Sequence, residues 1–203
     1  GDLSEVILGQ ILCAGGGQNP TRQASVNAGV PHEVPAYTVN MLCGSGLKSV
    51  MLAAQAIQCG DSDIIAAGGM ENMTQAPYVV PTARAGARLG NAQMIDSMVN
   101  DGLWDIYNDF HMGNTGELVA DKYEITREMQ DEYAAGSQQK AAAAQAAGKF
   151  DWEITPVEVP QRKKDPIIFK ADEGVRGDTT AEGLAKLRPA FKKDGTVTPG
   201  NAS

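Results

Sequence analysis

A cysteine stands where a β-branched run meets a glycine-rich helical stretch, in the segment TVNMLCGSGLKSV (38–50). Cys43 is predicted to follow a strand and precede a helix. A thiol at a helix N-terminus faces unpaired N–H groups and the positive end of the helix dipole, so its thiolate is favoured. Gly44 and Gly46 leave the backbone open to a substrate carbonyl, and the N–H of Cys43 is a candidate donor to a developing oxyanion. These features predict covalent acyl transfer.

The other interpretation of Cys43, a small apolar filler, stays open, because most cysteines are buried and inert. Cys59 ends the same predicted helix without comparable surroundings, which favours a structural role, and Cys13, directly after a strand, is ambiguous. Three cysteines without a Cys-x-x-Cys pair and two histidines form no metal-ligand pattern. We therefore expect free thiols in a reducing, cytoplasmic compartment and no bound metal.

The elements around Cys43 predict a parallel sheet. Strands are predicted over 5–12, 34–41 and 63–67, and helices begin at Asn19-Pro20, with Asn as N-cap, and at Ser45. Alternation of strands and helices implies right-handed crossovers and a parallel sheet covered by helices. Because ligands bind at the carboxyl ends of such strands, the position of Cys43 suits a reactive group.

One helix has a clear apolar periodicity. Spacings of three and four residues over 45–57 predict a single buried face formed by Leu47, Val50, Met51, Ala54 and Ile57.

After Gly69 the composition changes, and 70–115 contains only short periodic pieces. Thr126 is a predicted N-cap of a long Ala- and Gln-rich helix that reaches Ala147, and Gly148 follows it. A mixed segment over 154–170 surrounds the basic run at 162–164. We interpret 70–203 as a long excursion from the sheet domain.

The charge balance argues against two classes of partner. The net charge is −8 and the pI is near 4.7, which disfavours nucleic acid and anionic membrane surfaces. No apolar run approaches the roughly 20 residues that a membrane-spanning helix needs. We expect neither nucleic acid nor membrane as a partner.

Six segments together resemble the thiolases, specifically the acetyl-CoA acetyltransferase branch, and they extend over essentially the whole chain: QNPTRQ, VNMLCGSGLKSV, GDSDIIAAGGMENM, DGLWDIYNDFHMG, KLRPAF and GTVTPGNAS. The ACSS-like run typical of the related ketoacyl synthases is absent, and HMG is typical of the short-chain branch. The resemblance implies an α/β, thiolase-like layered fold. Residues 1–69 would belong to a parallel-type mixed sheet with covering helices, and 70–203 to an inserted α+β loop domain.

The resemblance also implies functions for single residues. Cys43 would be the acylated nucleophile in the reversible condensation of two acetyl-CoA to acetoacetyl-CoA, with the coenzyme A thioester as substrate and a homotetramer as the assembly. Candidate coenzyme A contacts are Leu103, His111, Met112, Arg176, Phe191 and Ser203. From the residues alone, His111 as a structural histidine, Phe191 as a core aromatic and Arg176 as a surface charge remain open.

The chain departs from the family pattern at several places. Gly183 stands where relatives usually carry a serine that contacts coenzyme A, and TGEL (115–118) replaces the usual TAEN. By the resemblance, we expect the activating histidine and the second cysteine downstream of Ser203. We expect a first strand and helix upstream of Gly1, and whether a targeting peptide also preceded Gly1 stays open. The piece alone is therefore expected to lack turnover. A non-catalytic acyl-CoA- or partner-binding module, or a plain structural domain, is the alternative.

Overall fold

Three parallel strands form one sheet, and Cys43 follows the second of them in the chain. A computed structural model describes residues 2–202, with strands β1 (Glu5–Gly9), β2 (Ala36–Val39) and β3 (Ile65–Gly69) in the order β2-β1-β3. The central strand β1 is apolar, and Val6 and Ile7 are buried there. The predicted parallel sheet is confirmed.

The strands are shorter than the apolar runs suggested. Strand β1 ends at Gly9 because the N–H groups of Ile11 and Leu12 donate to the two carboxylate oxygens of Glu71, at 2.8 and 3.1 Å, instead of to a neighbouring strand. Strand β2 begins directly after Pro35, which has no N–H for a strand ladder. Strand β3 lies two residues later than predicted.

Two helices connect these strands. Helix α1 (Pro20–Asn27) begins as predicted, with the Asn19 side chain accepting a hydrogen bond from the N–H of Arg22. Helix α2 (Ser45–Cys59) ends at Gly60, whose φ of 79° is readily adopted by glycine.

The predicted buried face of α2 is wrong. The buried residues of this helix are Ser45, Ser49 and Ala53. The exposed apolar stripe of α2, as we call it, contains Leu47, Val50, Met51 and Ile57, and Leu47 is 69% exposed; Ala54 is exposed as well. Small side chains face the sheet because the helix lies close to it. A Cβ placed on Gly9 would lie 2.6 Å from the backbone nitrogen of Gly46.

Beyond β3 the chain forms short elements. Strands β4 (Tyr78–Val79) and β5 (Ile95–Asp96) pair antiparallel. A π-helical segment, Met98–Leu103, follows, and then come the short strands β6 (Trp104–Asp105) and β7 (Phe110–His111).

Helices dominate the C-terminal part. Helix α3 (Met112–Tyr123) was not predicted, whereas α4 (Arg127–Ala146) was, with Thr126 as its N-cap. Strands β8 (Val157–Gln161) and β9 (Lys164–Phe169) form an antiparallel hairpin with Arg162 and Lys163 at its turn, and α5 (Ala181–Leu184) follows. Leu184 packs on Ala134 and Ala135 of α4.

The chain divides into two compact units between Asp109 and Phe110. The domain boundary expected after Gly69 stays a prediction. Within residues 2–202 no helix is both long and apolar enough to cross a membrane.

Candidate active site

Cys43 lies in a tight turn between β2 and α2, as its sequence position predicted. The N–H of Gly44 donates to the carbonyl of Met41 (3.1 Å), and the N–H of Ser45 donates to the carbonyl of Leu42 (2.9 Å). Leu42 has a φ of 49°, a left-handed conformation that is uncommon for a side chain of this size. The turn reverses the chain over four residues and leaves Cys43 exposed.

Ser45, the first residue of α2, stabilises this turn through its side-chain hydroxyl. Its Oγ accepts a hydrogen bond from the N–H of Met41 at 2.8 Å and donates to the carbonyl of Leu42 at 2.5 Å. The residue is 4% exposed. Sequence reasoning predicted the helix start at Ser45 but missed the role of its hydroxyl, although serine at the start of a helix is a signal that the hydroxyl bonds to nearby backbone.

Glycines allow the start of α2 to sit at the carboxyl ends of two strands. Besides Gly9 at the end of β1, Gly69 at the end of β3 lies against Gly46, since a Cβ on Gly69 would be 3.4 Å from the Gly46 Cα. Ser49 ties the helix to the same edge by donating to the carbonyl of Gly68 at 2.7 Å. The helix N-terminus is therefore held at the sheet edge where ligands bind in parallel folds.

This arrangement suits a nucleophile. The first N–H groups of a helix have no carbonyl partner within the helix, and such groups can stabilise a developing oxyanion nearby. The exposed Cys43 thiol sits just before that first turn. The geometry can support attack by a thiolate on an activated acyl group.

The two other cysteines have different surroundings. Cys13 is half-buried, and its pKa is raised, first by burial and then by the charge of Glu71. Its thiol is therefore protonated over a wider pH range than an ordinary thiol. Cys59 is exposed at the last residue of α2. All three are free thiols.

In the second unit, two of the predicted coenzyme A contacts touch. The His111 ring stacks on the Phe191 ring, with centroids 5.0 Å apart and planes 19° from parallel. His111 is also the N-cap of α3, where its Nδ1 accepts a hydrogen bond from the N–H of Gly113 at 3.0 Å. In the neutral ring the proton therefore resides on Nε2. Met112, next in the chain, is exposed, and its Sδ lies 3.8 Å from Thr115 Oγ1.

The remaining predicted contacts lie elsewhere in their units. Leu103 is half-buried at the end of the π-helical segment. Arg176 is exposed, and its backbone N–H donates to Oε1 of Gln138 on α4 at 2.8 Å. Ser203 lies outside the described residues.

Glu117, which sequence reasoning did not single out, is buried on α3. It accepts hydrogen bonds from the backbone of Thr196 and Val197 and from the Thr196 hydroxyl. Burial by itself raises the pKa of Glu117, but these hydrogen bonds and the charge of Lys192 outweigh burial, so its pKa lies below the usual value. The available signal was the glutamate that TGEL shares with the usual TAEN.

A parallel α/β sheet with a cysteine-bearing turn at the carboxyl ends of its strands defines the class of fold. A family model described as "Thiolase, N-terminal domain" matches residues 1–203, and the chain belongs to the thiolase family.

Relatives and a solved structure agree with this assignment. The acetyl-CoA acetyltransferase of Pseudomonas aeruginosa is 61% identical over 203 residues, which are 100% of this chain and 52% of the relative. The acetyl-CoA acetyltransferase of Chromobacterium violaceum is 63% identical over 202 residues, again 100% of this chain and 52% of the relative. The crystal structure of the Bacillus anthracis acetyl-CoA acetyltransferase superposes with a TM-score of 0.93 at 42% identity, covering 98% of this chain and 50% of that one.

These comparisons confirm the predicted thiolase-like fold. The chain spans about half the length of the curated relatives that it matches.

Proposed function

We propose that the full-length protein condenses two molecules of acetyl-CoA to acetoacetyl-CoA and coenzyme A, reversibly, through an acetyl group on Cys43. The observation that carries this proposal is the exposed Cys43 thiol in a tight turn before the first turn of α2. The chain belongs to the thiolase family, and the two relatives described above are named acetyl-CoA acetyltransferases.

The first step transfers the acetyl group to the protein. The Cys43 sulfur attacks the carbonyl carbon of acetyl-CoA, a carbon–sulfur bond to the protein forms, and the bond to the coenzyme A sulfur breaks. The proton lost from Cys43 ends on the departing coenzyme A. In this proposal the N–H of Cys43 is one donor to the oxyanion that forms in between.

The second step forms the carbon–carbon bond. Loss of an α-proton from a second acetyl-CoA gives an enolate, whose carbon attacks the acetyl group on Cys43. The bond to the Cys43 sulfur breaks, and the proton ends on that sulfur. In this proposal the base lies in the remainder of the full-length protein, so 1–203 alone has little or no turnover.

The proposed substrate contacts follow the family resemblance. By that resemblance His111 and Met112 border the acyl and pantetheine pocket, Leu103 is a further coenzyme A contact, and Phe191 contacts the pantetheine or adenine part. The stacked His111–Phe191 pair supplies a flat aromatic surface for an extended thioester. Arg176 lies near the nucleotide end, where an exposed cation suits phosphates, and Ser203 contacts the pantetheine or adenine part. No metal or redox cofactor is required.

Assembly and location are part of the proposal as well. In this proposal the exposed apolar stripe of α2 is buried in the full-length protein, either by the rest of the chain or by a second copy. The assembly that the resemblance implies is a homotetramer. The three free thiols support a cytoplasmic location.

The direct test is mass spectrometry of the full-length protein quenched during turnover with acetyl-CoA. We expect an acetyl adduct on Cys43, and we expect Cys43→Ser to lose both the adduct and at least about a thousandfold in kcat. Cys59→Ser is the matched control, because Cys59 is equally a free, exposed thiol, at the other end of α2. Retained turnover in Cys43→Ser, with coenzyme A binding unchanged, would instead favour the non-catalytic binding module.

A further inference from the structure

A buried carboxylate on α3 holds the backbone of a nearby loop. The Glu117 side chain is 3% exposed. Its oxygens accept hydrogen bonds from the N–H of Thr196 at 2.9 Å, from the N–H of Val197 at 2.8 Å and from the Thr196 hydroxyl at 3.0 Å. One side chain therefore satisfies three donors of a segment about 80 residues away in the chain.

The segment that Glu117 holds is a closed loop, 190–197. The N–H of Ala190 donates to the carbonyl of Val197 at 3.0 Å, which joins the two ends of the loop. Phe191 lies at one end of this loop, on His111, and the residues bound by Glu117 lie at the other end. The end of the loop that Glu117 binds therefore lies beside the end that carries Phe191.

The surface of α3 is shaped for this loop. A Cβ on Gly113 would overlap the Phe191 ring, and a Cβ on Gly116 would lie 3.2 Å from Cγ2 of Val197. Gly195 is similarly tight, since a Cβ there would collide with Glu117 Oε1. The loop therefore packs closely on the helix, and a side chain at any of these three glycines would prevent that packing.

A second polar contact supports the same point. The Nε2 of Gln130 on α4 donates to Thr196 Oγ1 at 2.9 Å, while that hydroxyl donates to Glu117. Thr196 therefore links both helices. By contrast, the ion pair between Lys192 and Asp121 at 3.0 Å joins the same loop to the same helix on the exposed surface, where such pairs contribute little.

We propose that Glu117 is a positioning residue for coenzyme A thioester binding, acting by holding loop 190–197 on α3 so that Phe191 stays stacked on His111. This inference rests on the proposed function, because it takes that aromatic pair as part of the thioester site. Glu117 itself touches no substrate. A carboxylate is needed because an apolar side chain would leave two buried N–H groups unpaired.

The test compares Glu117→Gln with Asp121→Asn in the full-length protein. Glutamine keeps the shape but has one acceptor oxygen for three donors. We expect its KM for acetyl-CoA and its Kd for coenzyme A, measured by calorimetry, to rise about tenfold, the scale of a lost charge-assisted hydrogen bond, with kcat within about twofold of the wild type. Asp121→Asn removes a carboxylate from the same helix and loop contact and should change neither value.

A second variant serves if Glu117→Gln does not fold. Thr196→Val keeps the shape and removes only the hydroxyl, and its Kd for coenzyme A should rise about threefold. The inference is overturned if folded Glu117→Gln, or Thr196→Val in its place, binds coenzyme A like the wild type, or if kcat falls while KM stays constant. Failure of the proposed function has a different signature: no acetyl adduct on wild-type Cys43, or no coenzyme A binding by the wild type.

Discussion

Ser45 and Ser49 show how two buried serines on one helix face serve different neighbours. Ser45 Oγ bonds to the turn that carries Cys43, through Met41 and Leu42. Ser49 Oγ, one turn later, bonds to the carbonyls of Gly46 and Gly68, so it ties α2 to the sheet instead. Ser45 therefore fixes the shape of the turn, and Ser49 fixes the position of the helix on the sheet.

Ser45→Ala should therefore lower the unfolding free energy by about 1–3 kcal/mol, because the N–H of Met41 loses its acceptor and the carbonyl of Leu42 keeps only its bond from the backbone N–H of residue 45. It should also slow acetylation of Cys43 about tenfold, since the turn relaxes around Leu42. Urea unfolding and quenched mass spectrometry measure the two effects. Ser49→Ala is the matched control, with a similar loss of stability and an acetylation rate within about twofold of the wild type. Equal acetylation rates in both variants would contradict the assigned role of Ser45.

At the scale of elements, α3 and α4 place glycine for different reasons. Gly113 of α3 leaves room for the Phe191 ring, whereas a Cβ on Gly136 of α4 would have no atom within 4 Å. Glycine in a helix interior costs up to about 1 kcal/mol relative to alanine. Of these two glycines, Gly113 alone meets a packing requirement that offsets this cost.

Alanine substitutions at these two glycines should have opposite signs. Gly113→Ala should destabilise the protein by about 1–3 kcal/mol, because the added methyl forces Phe191 off His111. Gly136→Ala should stabilise α4 by up to about 1 kcal/mol, since it lowers the entropy of the unfolded chain at no steric cost. Urea unfolding checks both, and a neutral Gly113→Ala would argue against the close fit of Phe191 on α3.

At the scale of the whole molecule, the exposed apolar stripe of α2 predicts contact with further chain or with another copy. Four apolar side chains, Leu47, Val50, Met51 and Ile57, are exposed along one helix. Contiguous exposed apolar surface of this kind marks contact sites or leads to association. With a net charge of −8, repulsion between copies opposes association only weakly at physiological salt, where charges are screened within about 8 Å.

The chain 1–203 produced alone should consequently self-associate, and the double variant Leu47→Glu, Met51→Glu should reduce that association. Tyr133→Glu is the control, because Tyr133 is an exposed apolar residue of another helix, α4, and it should leave association unchanged. Sedimentation velocity measures the mass of the species. A stable monomer of the unmodified chain would contradict the prediction that this stripe must be buried against another surface.

Local rules were sufficient for much of the backbone. Asn19 and Thr126 cap helices where their types predicted, because capping involves only neighbouring residues. The position of Cys43 between a strand and a helix belongs to the same group. The motifs spread over the whole chain also predicted the family, because a motif depends on residue order alone.

Long-range contacts decided the rest. The stripe at Leu47 predicted a buried face, but the sheet packs on Ser45, Ser49 and Ala53, because glycines on two strands bring the helix close. Helix α3 was missed, and so was the role of Glu117, whose partners lie about 80 residues away. Side-chain type and spacing determine which hydrogen bonds a residue can make and whether it can be buried. Which partner it meets depends on non-local packing, and that is a property of the folded chain.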